Sequence, residues 1–146
     1  MKLKNILEAL FKAGQPPNPE TMLEKDGSDS EWEVTMLTGL FPNLGRRWIR
    51  HRKLFAKGGD YVVGCNVLFD DVQVGWFALD RDWYAADVDD QPSLFINYHV
   101  TRNGNLTRII RDYIRTTRDP NLMIGRFYCG NHFVGYFTLT RLPKRR

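Results

Sequence analysis

The sequence predicts a mainly β protein, an antiparallel meander that closes into a barrel or a strongly curved sheet and carries two flanking helices. Three observations carry this. Asn121–Leu142 reads as two strands rich in aromatic and β-branched residues, joined by a tight turn at Gly130-Asn131. Earlier, Val63-Gly64-Cys65 leads through Asp70-Asp71 into Val74–Leu79, so that GWFAL is echoed by GYFTL, and the glycines at 64, 75, 125 and 135 sit where strands of a small barrel bend. Finally, the alternating sets of Tyr61–Phe69 are largely apolar on both faces. Such a sheet has to be covered twice, by helices or by closure around a core or cavity.

At 146 residues the chain has the length of one domain, and its 42% hydrophobic and 26% charged content excludes disorder throughout. Leu3, Ile6, Leu7, Leu10 and Phe11 share one face of a helix that Gly14 stops. A helix this short is marginal in water and has to dock on something apolar. The opening lysines are those of a secretion signal, but Glu8 and Lys12 interrupt the apolar run and no cleavage-type site follows, so a cytoplasmic location is expected. Gln15–Ser30 is a polar connector with a helical turn or two after Asn18-Pro19-Glu20. Residues 1–30 thus form a helix and connector, and 31–146 a single barrel-like domain.

Glu31–Met36 alternates as a strand with Trp32, Val34 and Met36 inward, and the turn-rich corner Gly39–Gly45 follows. Trp48–Ala56 reads as a strand with a basic outer face, ended by Lys57-Gly58-Gly59-Asp60. Tyr61–Phe69 and Val72–Leu79 form the first hairpin. Arg81–Pro92 is rich in aspartate but lacks the glycine and glutamate of a calcium loop, and reads as a solvated connection. Ser93–Val100 is a strand with Leu94, Ile96, Tyr98 and Val100 on one face and Phe95, Asn97 and His99 on the other. A helix is then expected near 105–117, with Leu106, Ile109, Ile110 and Tyr113 apolar and Arg108, Arg111, Asp112 and Arg115 facing water. The total is roughly six or seven strands.

Function is less legible. Cys65 and Cys129 read as buried, reduced thiols. The three histidines, His51, His99 and His132, are scattered and no zinc spacing occurs, so no metal or other cofactor is expected. His99 and His132 with Cys129 form the one arrangement resembling a nucleophile and base. His132 directly follows a tight turn and Cys129 reads as a filler, so no catalytic residue is assigned and no enzyme is expected. No stretch approaches the ~18 apolar residues of a membrane span.

A ligand barrel needs only an apolar lining with a few convergent polar groups. Asn66, Trp76, Asn97, His99, Arg126, Tyr128 and Tyr136 are the candidates, each set among apolar strand neighbours. Arg126 is the most informative, because a buried arginine requires an acidic partner or an anionic head group. The net charge of +4 is uneven, and Arg46, Arg47, Trp48, Arg50, Arg52 and Lys53 offer the basic and aromatic mixture that single-stranded nucleic acid or another anionic partner requires. A third class is a structural or interaction module, as monomer or homodimer, pairing through the N-terminal helix or a strand edge.

Ile96-Asn97-Tyr98, Arg108–Arg111, Met123-Ile124-Gly125-Arg126 and Phe137-Thr138-Leu139-Thr140-Arg141 together resemble the lipocalin-like family associated with the GXWXG domain. In that family a strand and turn lead into an arginine-containing segment, then LG-x-M and F-x-L-x-R strands. Gly45-Arg46-Arg47-Trp48 to Phe55 is similar to its Trp-containing GK-x-F strand, although no WxGK is present and the segment from Leu106 is longer than the pattern. The resemblance covers about half the chain, mainly residues 94–142, and implies a calycin-type barrel of the kind that holds small apolar ligands or haem. It transfers no site residue. The expectation is a non-enzymatic domain that binds a small apolar or amphipathic molecule.

Overall fold

Hairpin turns place successive strands side by side and antiparallel, and the computed structural model, which describes residues 2–39, 50–80 and 84–144, follows that rule nearly throughout. The elements are helix α1 (Leu3–Ala13), a 3-10 turn (Pro19–Met22), strands β1 (Ser30–Met36), β2 (Arg52–Gly58), β3 (Tyr61–Leu68), β4 (Val72–Leu79), β5 (Tyr84–Ala85) and β6 (Pro92–Asn97), helix α2 (Asn105–Arg108), and strands β7 (Ile110–Thr116), β8 (Leu122–Cys129) and β9 (His132–Arg141). The first strand pairs with the last, and β4 pairs with β6, so eight strands close into an antiparallel barrel with β5 appended to β6.

The seam between β4 and β6 is short, with Ala78 opposite Asn97 and Leu79 opposite Ile96. Asn103 reinforces it: Trp76 N–H donates to its Oδ1 at 2.9 Å, and its Nδ2 donates to the carbonyls of Trp76 at 2.5 Å and Tyr98 at 2.8 Å.

One buried cluster draws a side chain from each of the eight strands and is therefore the barrel interior. Rings of Trp32, Phe55, Phe77 and Tyr98 cross it in series, with centroids 6.5, 5.4 and 5.7 Å apart. Such edge-on contacts add to what area burial contributes. Met22 and Leu23, from the connector, pack into the same cluster, and the Trp32 indole donates to the Met22 carbonyl at 3.0 Å. Trp32, Val34 and Met36 point inward as the alternation predicts.

The repeated hairpin has a packing reason. Gly64 lies opposite Phe77, and Gly125 opposite Phe137. A Cβ on Gly64 would stand 2.0 Å from the Leu54 carbonyl oxygen and 2.6 Å from the Phe77 ring, and one on Gly125 would stand 2.3 Å from the Phe137 ring. In both hairpins the glycine clears the floor for a phenylalanine on the next strand, an arrangement that pins register as well as filling the core.

A second buried cluster lies on the outer wall, where Leu7 and Phe11 of α1 meet Ile124, Tyr136 and Ala86. Helix α1 therefore docks as its apolar face demands, although Leu3, Ile6 and Leu10 of that same face remain 52%, 49% and 38% exposed.

Several expectations change. The helix expected near 105–117 is a single turn, Asn105–Arg108, and Ile110–Thr116 is strand β7. Ile110, Asp112 and Ile114 alternate inward there, and pairing with β6 and β8 outweighs the helical spacing, leaving Leu106 84% exposed. Asp112 and Arg115, expected to face water, are both buried. Strand β2 begins at Arg52, and Trp48 and most of the Gly39–Gly45 corner lie outside the described residues. The aspartate-rich connection is not wholly solvated, since Ala86 is buried and Asp89 pairs with Arg115.

Cys65 is buried as expected, whereas Cys129, at the end of β8, is exposed. Burial pushes the Cys65 thiol up, away from its reactive thiolate. Iodoacetamide on the native protein should therefore alkylate Cys129 alone, with Cys65 modified only after denaturation. Mass spectrometry of the labelled peptides checks this, and equal labelling of both would contradict the burial of Cys65.

Candidate functional site

The barrel interior holds a polar cluster built on Lys53 and Asp112. Cross-strand partners share a face, and Lys53 stands opposite Trp32 on one side and Asn66 on the other, so both Lys53 and Asn66 project into the barrel. Asp112 lies opposite Ile96 and Phe127, also inward. Tyr98 follows β6 directly, and His51 precedes β2. Lys53, Tyr98 and Asp112 are each 3% exposed or less.

The Lys53 ammonium donates to Asn66 Oδ1 at 2.7 Å and to the Tyr98 hydroxyl, and stands 3.2 Å from Asp112 Oδ2. Tyr98 in turn donates to Asp112 Oδ2 at 2.8 Å. An ammonium cannot accept, so the Asn66 oxygen must face Lys53, and its amide nitrogen donates to the Gly75 carbonyl at 3.0 Å and to Tyr98 at 3.3 Å. His51 Nε2 lies 2.7 Å from that same Asn66 oxygen and is therefore the protonated ring nitrogen. The ammonium has a partner for each of its three protons. Asp112 Oδ1 has no hydrogen-bond partner among the described residues.

Burial pushes the Lys53 ammonium below its ordinary value, while Asp112 opposes the shift. Tyr98 is held well above the usual phenol range, first by burial and then by the Asp112 charge. His51 is pushed down to about 4 by burial and by the Lys53 charge, against its bond to Asn66. The imidazole is thus neutral above that pH. In the unfolded chain His51 takes up its proton near 6.5, so between about 6.5 and 4 the unfolded state binds more protons and stability falls as the pH drops. An NMR titration should place the His51 pKa near 4, and a midpoint near 6.5 would contradict the buried arrangement.

The sequence-derived candidates distribute over three places. Of the candidates for a ligand site, only Asn66 is in the interior cluster. Arg126, Tyr128 and Tyr136 come together on the outer wall beneath α1, where Arg126 Nε donates to Tyr128 at 2.8 Å, its Nη1 donates to Tyr136, and Tyr128 donates to Asp87. The guanidinium lies 4.0 Å from the Phe133 ring centre. Burial raises both phenols, and the Arg126 charge opposes this. Arg126, whose side the sequence left open, is buried on the outer wall and not in the barrel interior, and its acid and aromatic partners belong to the chain itself. Trp76 stacks on Arg102 at 3.9 Å, the Asn97 side chain accepts from the His99 backbone N–H at 2.8 Å, and His99 is exposed. None of these reaches the interior cluster.

Of the basic run, Arg46, Arg47 and Trp48 lie outside the described residues. Arg50 stands 3.3 Å from Asp70, and Arg52 stands 3.4 Å from Glu31 while donating to the Phe69 and Asp70 carbonyls. Lys53, expected on a basic outer face, is inside the barrel, because alternation places it with Phe55 rather than with Leu54.

The chain matches no family model, no curated protein and no solved structure. Sequence reasoning named Lys53 only for an outer basic face and did not single out Asp112, Tyr98 and His51 for the site, and the available signal was a charge interrupting an apolar alternation, as Asp112 does between Ile110 and Ile114. Among the described residues, no group of three or more His, Cys, Asp or Glu side chains could hold a metal ion, and no helix is long and apolar enough to cross a membrane.

Proposed function

We propose that this barrel binds a small apolar or amphipathic molecule in its interior, in the manner of the lipocalin-like barrels its sequence resembles. The observation that supports this is the Lys53–Tyr98–Asp112–Asn66–His51 cluster. It supplies the few convergent polar groups of a ligand site within an apolar wall, and a carboxylate oxygen there has no hydrogen-bond partner among the described residues. The series of rings from Trp32 to Tyr98 occupies part of the interior, which favours a small ligand seated at the end where Met36, Ile110 and Phe127 are only partly buried. Two free thiols accord with a cytoplasmic setting.

The test is native mass spectrometry and organic extraction of the purified protein, beside titration with the neutral apolar dye N-phenyl-naphthylamine. A co-purified small molecule or saturable dye binding with one site per chain is expected. A protein that is empty and does not saturate with the dye would overturn the reading.

A further inference from the structure

From the charge balance of the interior cluster we infer that the ligand is a neutral molecule carrying a hydrogen-bond donor, such as an alcohol or phenol, which donates to Asp112 Oδ1. This rests on the proposed binding function and names its chemical class.

The ion pair of Lys53 and Asp112 is internally compensated at 3.2 Å, with both side chains 3% exposed. The remaining titratable members, His51 and Tyr98, are neutral at pH 7, one pushed down to about 4 and the other raised well above 10.0. A ligand carboxylate would add an uncompensated anion beside Asp112, and the ammonium protons it would seek are already engaged with Asn66, Tyr98 and Asp112. A protonated amine would add a second cation beside Lys53.

What the cluster lacks is one donor. Buried carboxylate oxygens are almost always hydrogen-bonded, and among the described residues Asp112 Oδ1 has no partner. Both bonds to that carboxylate converge on Oδ2, from Tyr98 and Lys53. A hydroxyl reaching Oδ1 completes the network without changing its charge, while its hydrocarbon part meets the apolar side chains on the same inward faces, Ile110 and Phe127.

Isothermal titration of the wild-type protein at pH 7 with octanol, methyl octyl ether, octanoate and octylamine tests this with one chain length and four head groups. Octanol should bind at least about tenfold more tightly than its ether, the factor expected for one hydrogen bond to a charged acceptor, and both ions should bind more weakly than octanol. If octanol and the ether bind alike, Asp112 Oδ1 is satisfied by water or otherwise closed to ligands, and the inference fails while the barrel remains a binding protein. Tighter binding of octanoate or octylamine than of octanol also overturns it. Failure of all four to bind overturns the inference, and the dye titration and extraction then decide the binding function separately. Asp112→Asn should abolish the preference for octanol over its ether, and a retained preference in a folded variant counts against the inference.

Discussion

Replacing Lys53 with methionine should lower the free energy of unfolding by about 3–5 kcal/mol, a large share of the roughly 5–15 kcal/mol available to a domain. The methionine retains contact with the Phe77 and Tyr98 rings, whose centres lie 5.4 and 5.2 Å from the ammonium, but it leaves Asp112 as an unpaired charge inside the barrel. The double variant Lys53→Met with Asp112→Leu removes both charges together and should recover most of the loss, since a buried pair is often no better than apolar residues of similar volume. Urea denaturation of wild type, both single variants and the double variant gives the coupling directly. Additive losses in the double variant would show that the two charges do not compensate one another.

Arg115→Leu should be comparably damaging, at about 3–5 kcal/mol, and for a different reason. The guanidinium is fully buried and every one of its N–H groups is engaged: Nε with Ser93, Nη1 with the Phe11 carbonyl and Asp89, Nη2 with Asp89 and the Gln91 carbonyl. Its plane also covers the Phe11 ring at 4.1 Å. One side chain thereby ties α1 and the Asp89–Gln91 segment to β7. Arg115→Lys should recover only part of the loss, because an ammonium cannot reproduce the fork.

Loss of this tie should be visible as faster limited proteolysis within residues 2–29, ahead of the barrel strands. The Arg115 bonds hold Asp89 below its ordinary carboxylate range. Their stabilisation is therefore present above the unfolded value of 3.8 and is lost as the pH falls through the folded one. Wild-type proteolysis of the same segment should accelerate below about pH 4. Unchanged cleavage in Arg115→Leu would show that α1 is held by its apolar face alone.

The fold was legible wherever a strand alternates cleanly or a turn uses its preferred residues. Gly130-Asn131 and Asp70-Asp71 lie at hairpin turns, and β1, β3, β4, β8 and β9 lie where their patterns place them. Strand β7 was not legible because two of its inner or buried positions carry Asp112 and Arg115, and charges are read as solvent-facing unless their partners are known. Those partners, Lys53 and Asp89, come from distant strands or loops. The same difficulty hid the interior cluster. In the sequence Lys53 stands among arginine neighbours, whereas its environment is set by Trp32 and Asn66 across the sheet. Arg126 was recognisable as informative, but not its side of the wall, because a slip of one residue exchanges inside and outside.

The joint between β4 and β6 gives the cylinder a direction in which to come undone. Strands β8 and β9 are laced through eight facing pairs, whereas β4 and β6 meet through two, a further bond from the Asp80 amide to the Phe95 carbonyl at 3.3 Å, and the Asn103 clasp. Regions with few ladder bonds open at lower free energy than the rest of a domain. Amides of Ala78 and Asp80 should therefore exchange before those of β8 and β9. Tyr98 borders this joint, and Asp112 lies one strand further round. The same brief unlacing that exposes those amides would uncover, from the side of the barrel, the Asp112 carboxylate oxygen that has no hydrogen-bond partner among the described residues.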